Sequence, residues 1–311
     1  MVSAATAVRR RRRPSRRGGP TPYVLLAPAI VLLVLFLLVP IGYTVYLSLR
    51  AARVTGGGLG IRKETFVGLD NYASVLTDSA YVDGLLRMLL YGLIVVPTML
   101  GLALLFALLL DTPRVRFGAF SRIGIFLPYA VPGVIASLLW GFLYLPNVSP
   151  IRDVFEAVGL PAPDFLAPGS VLFSVANIGV WGGVGFNMIV LFTALRGVPQ
   201  EMYDAARIDG ANEVQIALRV KVPLIMPAVI MTAIFAMIST LQVYTEPATL
   251  QPLTDTVSQT WVPLMTIYRD AFVNADLYSA AAASVVLALG TLAVSVAVLT
   301  VLQRRAFGRD R

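Results

Sequence analysis

Six uncharged apolar stretches, each of ~20 residues or more, constrain this chain more than any other feature. They are Tyr23–Leu49, Met88–Leu110, Ile123–Leu145, Ser170–Thr193, Pro223–Thr245 and Tyr278–Leu302. At 1.5 Å of rise per residue, about 20 helical residues cross the ~30 Å hydrocarbon core of a bilayer. Lipid offers the backbone no hydrogen-bond partner, so such stretches cross it as helices. The predicted fold class is an all-α integral membrane protein with six transmembrane helices. Composition agrees: 57% of residues are hydrophobic and only 14% are charged, with mean hydropathy +0.78, too few charges for a soluble domain of this size.

Seven arginines precede the first span. Its apolar run is too long for a signal peptide and no small-x-small cleavage site follows, so it is expected to be retained. The predicted organisation is a basic tail over 1–22, a membrane domain over 23–305 and a short tail over 306–311. With the amino terminus inside, 18 of the 25 basic residues fall in inner segments and 7 in outer ones. Acidic residues split the other way, 6 inside and 11 outside. This asymmetry predicts both termini and the polar stretch Glu201–Pro227 on the cytoplasmic side. It also accounts for the net charge of +8 with membrane lipid, and no nucleic acid, as the expected surroundings.

The chain has no Cys and no His. Disulfides and thiolate or imidazole metal sites are excluded, and no metal site or catalytic residue is predicted. The spans as delimited hold no Asp, Glu, Lys or Arg, so ion coupling through an intramembrane charge is not expected. The two lysines, Lys63 and Lys221, complete no phosphate-binding loop. The chain reads as a passive pathway driven from elsewhere.

Glu201–Pro227 reads EMYDAARIDGANEVQIALRVKVPLIMP. This predicts a hairpin of two short helices over 200–222. Glu201 and Asp204 suit the first helix's amino end. Ala205 and Ala206 leave a bare surface for a partner. Gly210 permits a positive φ and ends that helix, and Asn212 caps the next. Pro223 suits the first turn of the following span. The DAA-x3-G spacing followed by V-x-V-P resembles the EAA loop of ATP-binding-cassette (ABC) importer permeases. Asp204 stands for the usual Glu, Val222 for Leu and Ala217 for Phe, so Leu218 or Ile216 is expected to supply the missing apolar knob.

Other strings resemble the sugar-uptake permeases of the maltose and glycerol-3-phosphate type. They are F-V-G-L-D-N-Y at 66–72, LPYAVP at 127–132, LQVYTEP at 241–247 and YRDAF at 268–272. Read as residues alone, 66–72 is equally a turn capped by Asp70 or Asn71. The prolines at 128 and 132 kink or open the third span. Gly179, Gly182, Gly183 and Gly185 allow close packing or leave room for a ligand. Residues 257–267 are apolar but short, an interfacial or re-entrant helix.

The resemblance implies a type I ABC importer permease in a bacterial inner membrane. It implies a heterodimer with a second permease, two ATPase subunits that bind ATP and Mg, and an extracytoplasmic solute-binding protein. No cofactor would bind this chain itself. ATPase coupling would fall to Glu201, Asp204, Ala205, Ala206, Asp209, Gly210, Ala211 and Leu218. For a sugar, aromatic faces and neutral hydrogen-bonding groups at mid-span point to Tyr129, Phe186, Asn187, Thr240, Gln242 and Tyr244. Each polar one among these is equally able to make a helix–helix hydrogen bond. Two alternatives stay open: a permease for another solute such as glycerol-3-phosphate, a polyamine or an anion, and a membrane enzyme on a lipid-linked sugar using Asp111 or the acidic hairpin.

The purified chain alone is predicted to hydrolyse no ATP and to accumulate no sugar in liposomes under a pH gradient. Uptake driven by that gradient would overturn the passive-pathway reading.

Overall fold

In the computed structural model, residues 21–54, 62–112 and 116–307 are described. The basic block at Arg9–Arg13, the glycines at 56–60, Arg114 and the last four residues lie outside them. Among the described residues five helices are long and apolar enough to cross a membrane, or six if one bent pair of helices counts as a single span.

The chain divides after Tyr46 into two compact units. The first is helix α1, Tyr23–Ser48 up to that point, with apolar side chains exposed along its length. The second begins with a β-hairpin, β1 (Arg50–Val54) and β2 (Arg62–Phe66), antiparallel with Arg50 opposite Phe66. Helix α2 (Asp70–Thr77) follows. Neither Asp70 nor Asn71 caps it; Leu69 is its N-cap. Asn71 instead donates to the carbonyls of Ser48 and Arg50 at 2.8 and 2.7 Å. It thereby satisfies backbone acceptors where one helix ends and the strand begins.

Helix α3 (Ser79–Leu110) starts nine residues before the predicted second span and carries Asp83 and Arg87 in its first turns. Arg87 bonds the carbonyl of Trp261 at 3.2 Å. Along α3 the buried positions are Tyr81, Gly84, Met88, Tyr91, Val95, Met99, Ala103 and Ala107. Three- and four-residue steps put them on one face. That face packs on α7 (Val171–Arg196), against buried Val184, Met188, Leu191 and Leu195. Tyr81 on α3 donates to the carbonyl of Ala283 on α13 (Leu277–Phe307) at 3.0 Å. The small side chains of Ala280–Ala283, all nearly inaccessible, let the two helices approach.

The predicted third span is not one helix. α4 (Gly118–Phe126) tightens into a 3-10 turn over Leu127–Ala130. After a break at Val131–Pro132, α5 (Gly133–Tyr144) leaves at 96°. Pro132 lacks an N–H and disfavours helical backbone in Val131, and Val131 is extended (ψ 126°). Beyond α6 (Pro150–Ala157) and α7 comes the hairpin of α8 (Gln200–Ile208) and α9 (213–224). The fifth span begins at Met226, not Pro223. α10 (Met226–Thr240) ends before a turn over 241–244, and α11 (Thr245–Leu250) resumes. The stretch 257–267 is not one helix either. Only from Pro263 is it helical, as α12 (Pro263–Tyr268), and Val257, Trp261 and Val262 are buried in the protein core.

A buried ion pair ties the hairpin to the bundle. Lys221 Nζ lies 2.6 Å from Asp111 Oδ2, with both side chains about 95% buried (6% and 5% exposed). The ammonium also sits 4.8 Å from the centre of the Tyr203 ring, a cation–π geometry. Burial, and then the Asp111 carboxylate, raise the Tyr203 phenol above its ordinary pKa. It keeps its proton at neutral pH and donates to the Leu195 carbonyl at 3.3 Å.

Removing one partner of a buried ion pair strands the other charge and costs ~3–5 kcal/mol. Asp111→Asn and Lys221→Met should each lower the unfolding temperature of the detergent-solubilised protein. The double variant Asp111→Leu with Lys221→Met should recover most of the loss, because no charge is then left buried alone.

Candidate functional site

A cavity of about 530 Å³ opens between α3, the bent third span, α7 and the turn between α10 and α11. All six pathway residues expected from sequence line it: Tyr129, Phe186, Asn187, Thr240, Gln242 and Tyr244. Tyr129 stands in the 3-10 turn that the two prolines create. Its ring stacks on Phe186 of α7 with centroids 5.0 Å apart and planes 22° from parallel. Tyr244 leans on Tyr268 at 5.8 Å. Gln242 is exposed to the cavity, and Ser239 joins the polar side of the lining.

Asn187 donates to the Gly183 carbonyl at 2.9 Å, and Thr240 to the Ala236 carbonyl at 2.5 Å. Both acceptors lie one turn back in the donor's own helix. Neither bond joins two helices, so interhelical bonding is not what these side chains do.

The glycines of α7 divide between packing and space. A Cβ on Gly179 would meet Tyr91 Oη at 2.4 Å, and one on Gly183 would meet Met99 Sδ at 2.2 Å. One on Gly185 would stand 2.3 Å from the Ile125 carbonyl oxygen. Gly182 has nothing within 4 Å and lines the cavity.

Sequence reasoning missed Glu246. It lies one residue past the predicted fifth span, yet the turn at 241–244 folds it into the cavity wall, half-buried. The membrane segment Met226–Leu253 therefore carries an acidic group. The charge-free reading of the spans is corrected on this point. Only the backbone turn brings that carboxylate inward, so no hydropathy window announces it.

The hairpin is a second candidate surface. Gly210 has φ +83° and ends α8. Asn212 and Gln215 form a reciprocal capping box, each side chain bonding the other's N–H at 2.9 Å. Arg207 bridges Asp204 at 2.9 Å and Glu213 at 3.3 Å, clamping the two helices across the turn. Asp204 is thus engaged within the hairpin. Glu201, Ala205, Asp209 and Gly210 are exposed, while Ala206 and Ala211 are partly covered. Ile216 is wholly buried and Leu218 is 62% exposed, so of the two only Leu218 presents a knob. Met202, Ile208 and Val214 are also exposed there, Ile208 by 86%. The sequence reading passed over them because a short polar helix leaves the direction of its apolar residues undetermined. Asp111, the inner acid open to a membrane-enzyme reading, is buried in an ion pair with Lys221.

Bilayer-length helices around a polar cavity, joined by a charged hairpin, define a membrane permease. The family of binding-protein-dependent transport system inner membrane components matches residues 72–307, and the chain belongs to it. It is 32% identical over 297 residues to the sn-glycerol-3-phosphate transport system permease protein UgpA of Escherichia coli O157:H7, covering 94% of this chain and 96% of that protein. Two solved structures share its fold. One is a bacterial ABC transporter involved in import of the acidic polysaccharide alginate, with TM-score 0.77, 19% identity and coverage of 94% and 96%. The other is a bacterial alginate ABC transporter in complex with its alginate-pentasaccharide-bound periplasmic protein, with TM-score 0.78, 21% identity and coverage of 92% and 94%. The fold is that of a type I ABC importer permease, and the chain is a transport subunit, not an enzyme.

The glycine geometry predicts an order of tolerance. Gly185→Ala pushes on backbone and should cost ~1–3 kcal/mol by overpacking, seen as a lower unfolding temperature. Gly182→Ala should leave that temperature within error of wild type.

Proposed function

We propose that this chain forms the substrate pathway of an ATP-driven importer for an uncharged sugar, together with a second permease. The carrying observation is the cavity itself. Its volume lies in the range of small-molecule sites. It offers the stacked Tyr129–Phe186 pair beside Asn187, Ser239 and Gln242. Aromatic faces suit the C–H faces of a pyranose, and amides and hydroxyls suit its hydroxyl groups.

The relatives named above are a glycerol-3-phosphate permease and an alginate importer, both for anionic solutes. Their names favour carbohydrate in the broad sense, and a second reading is an anionic sugar derivative. Against it, no Lys or Arg among the described residues lines the cavity, whereas phosphate and carboxylate recognition draws on such groups. Tyr129, Phe186, Asn187, Thr240, Gln242 and Tyr244 are the proposed contacts.

Energy would come from two ATPase subunits that bind ATP and Mg, and substrate from an extracytoplasmic binding protein. The membrane domain over 23–305, with both tails and the hairpin cytoplasmic, follows from the arginine distribution. The hairpin would be the ATPase docking element, through Glu201, Ala205, Ala206, Asp209, Gly210, Ala211 and Leu218. Exposed Ile208 and Val214 would add apolar area to that contact.

Two sets of variants in the assembled transporter test this. Gly210→Val strains a left-handed backbone position at a cost of ~1–3 kcal/mol, and Ala206→Arg crowds the docking face. Both should reduce co-purification of the ATPase and uptake; normal assembly and uptake in both would sink the docking role. Asn187→Ala, Gln242→Ala and Tyr129→Ala should each weaken apparent sugar affinity by about 1–3 kcal/mol without loss of assembly. If all three keep wild-type affinity and rate, the solute passes elsewhere.

A further inference from the structure

Glu246 is the one carboxylate on the cavity wall, and no Lys or Arg shares that wall among the described residues. It sits in the first turn of α11, beside buried Pro247, and lines the same cavity as Tyr129 and Asn187 from other elements. None of the ion pairs among the described residues includes it. An unpaired charge deep in a protein is costly unless water or a ligand solvates it. Its own backbone N–H bonds the carboxylate, and the group is half-buried against open volume, so an entering solute meets its remaining acceptor sites.

The chemistry of that partner is restricted. In its ionised form the Glu246 carboxylate only accepts hydrogen bonds, through two oxygens. Neighbouring hydroxyls of a sugar ring donate one bond to each, and charge-assisted bonds are the stronger kind. A phosphate or uronate brings only acceptors and a like charge into a site of lowered dielectric, where repulsion is larger than in water. Nothing on the cavity wall of this chain neutralises that second negative charge.

Building on the sugar-pathway reading, we propose that Glu246 is the charge filter of the cavity. It binds vicinal hydroxyls of an uncharged sugar and turns away phosphorylated or uronic-acid sugars. Asn187 and Gln242 have amide N–H groups and carbonyls and so accept either class. Discrimination by charge therefore rests on this residue.

The experiment uses the assembled transporter in detergent without its binding protein, so that the cavity alone selects. Equilibrium dialysis measures radiolabelled maltose and maltose 1-phosphate as a matched neutral and anionic pair. Wild type should bind maltose at least about tenfold more tightly than the phosphate, about 1.4 kcal/mol. Glu246→Gln keeps the shape, loses the charge, and should narrow that ratio about tenfold, mostly by gaining affinity for the phosphate. Glu246→Asp should keep the exclusion. An unchanged ratio in a Glu246→Gln complex that still binds maltose overturns the filter and leaves the sugar pathway standing. Equal affinity of wild type for the two probes overturns the filter with no variant needed. Absence of wild-type binding to maltose, and to glucose and trehalose assayed beside it, removes the uncharged-sugar reading itself, and the filter with it.

Discussion

Backbone polar groups have no water to bond inside a bilayer, so a spanning chain leaves the helix only where protein or a cavity receives it. In this permease the spans break at two main places, 127–132 and 241–244. Both breaks lie on the same cavity. The first turns the chain by 96° and presents Tyr129. The second ends α10 and folds Gln242, Tyr244 and Glu246 inward. Irregular backbone and substrate-type side chains coincide because each needs the other. The breaks need a polar space beside them, and the space needs side chains that a continuous helix would direct to lipid or to a neighbour.

A rigid frame makes those breaks tolerable. α3 and α7 pack along most of their lengths, with Tyr91 and Met99 filling the room that Gly179 and Gly183 leave. Gly185 brings α7 against the backbone of the bent span. The frame is also linked to the hairpin. Lys221 leaves the hairpin and meets Asp111 at the end of α3, while Tyr203 of the hairpin stacks under the ammonium and bonds the end of α7. A displacement of the hairpin is thus felt by the two helices whose other residues, Tyr91 and Phe186 among them, line the cavity. Hairpin and cavity are thus joined through α3 and α7, and among the described residues lining the cavity none belongs to the hairpin.

Much of this was legible in the residues. Apolar length marks helices that cross lipid, because lipid selects for hydrophobicity and length alone. The hairpin's turn followed from Gly210 and its cap from Asn212, since these are local preferences of backbone geometry and hydrogen bonding. The prolines at 128 and 132 announced a break, though not its 96° angle. The six pathway residues were named from chemistry and depth, and the structure brings them to one cavity.

Hydropathy alone does not tell which face of a span turns inward, because in lipid both faces are apolar. Tertiary packing decided that Gly179 and Gly183 receive side chains while Gly182 opens to space. Packing also decided that Ile216 is buried and Leu218 presented, since helix phase is set by what lies beneath. Asp111 and Lys221 are 110 residues apart, and no local rule pairs them. Glu246 looked like a residue beyond the membrane segment until a four-residue turn carried it back to the cavity. What the sequence by itself determined was the membrane-helix fold class, the permease family and the chemistry available. The tertiary structure alone decided which of that chemistry faces the cavity, because a side chain's direction depends on contacts that form only when distant segments meet.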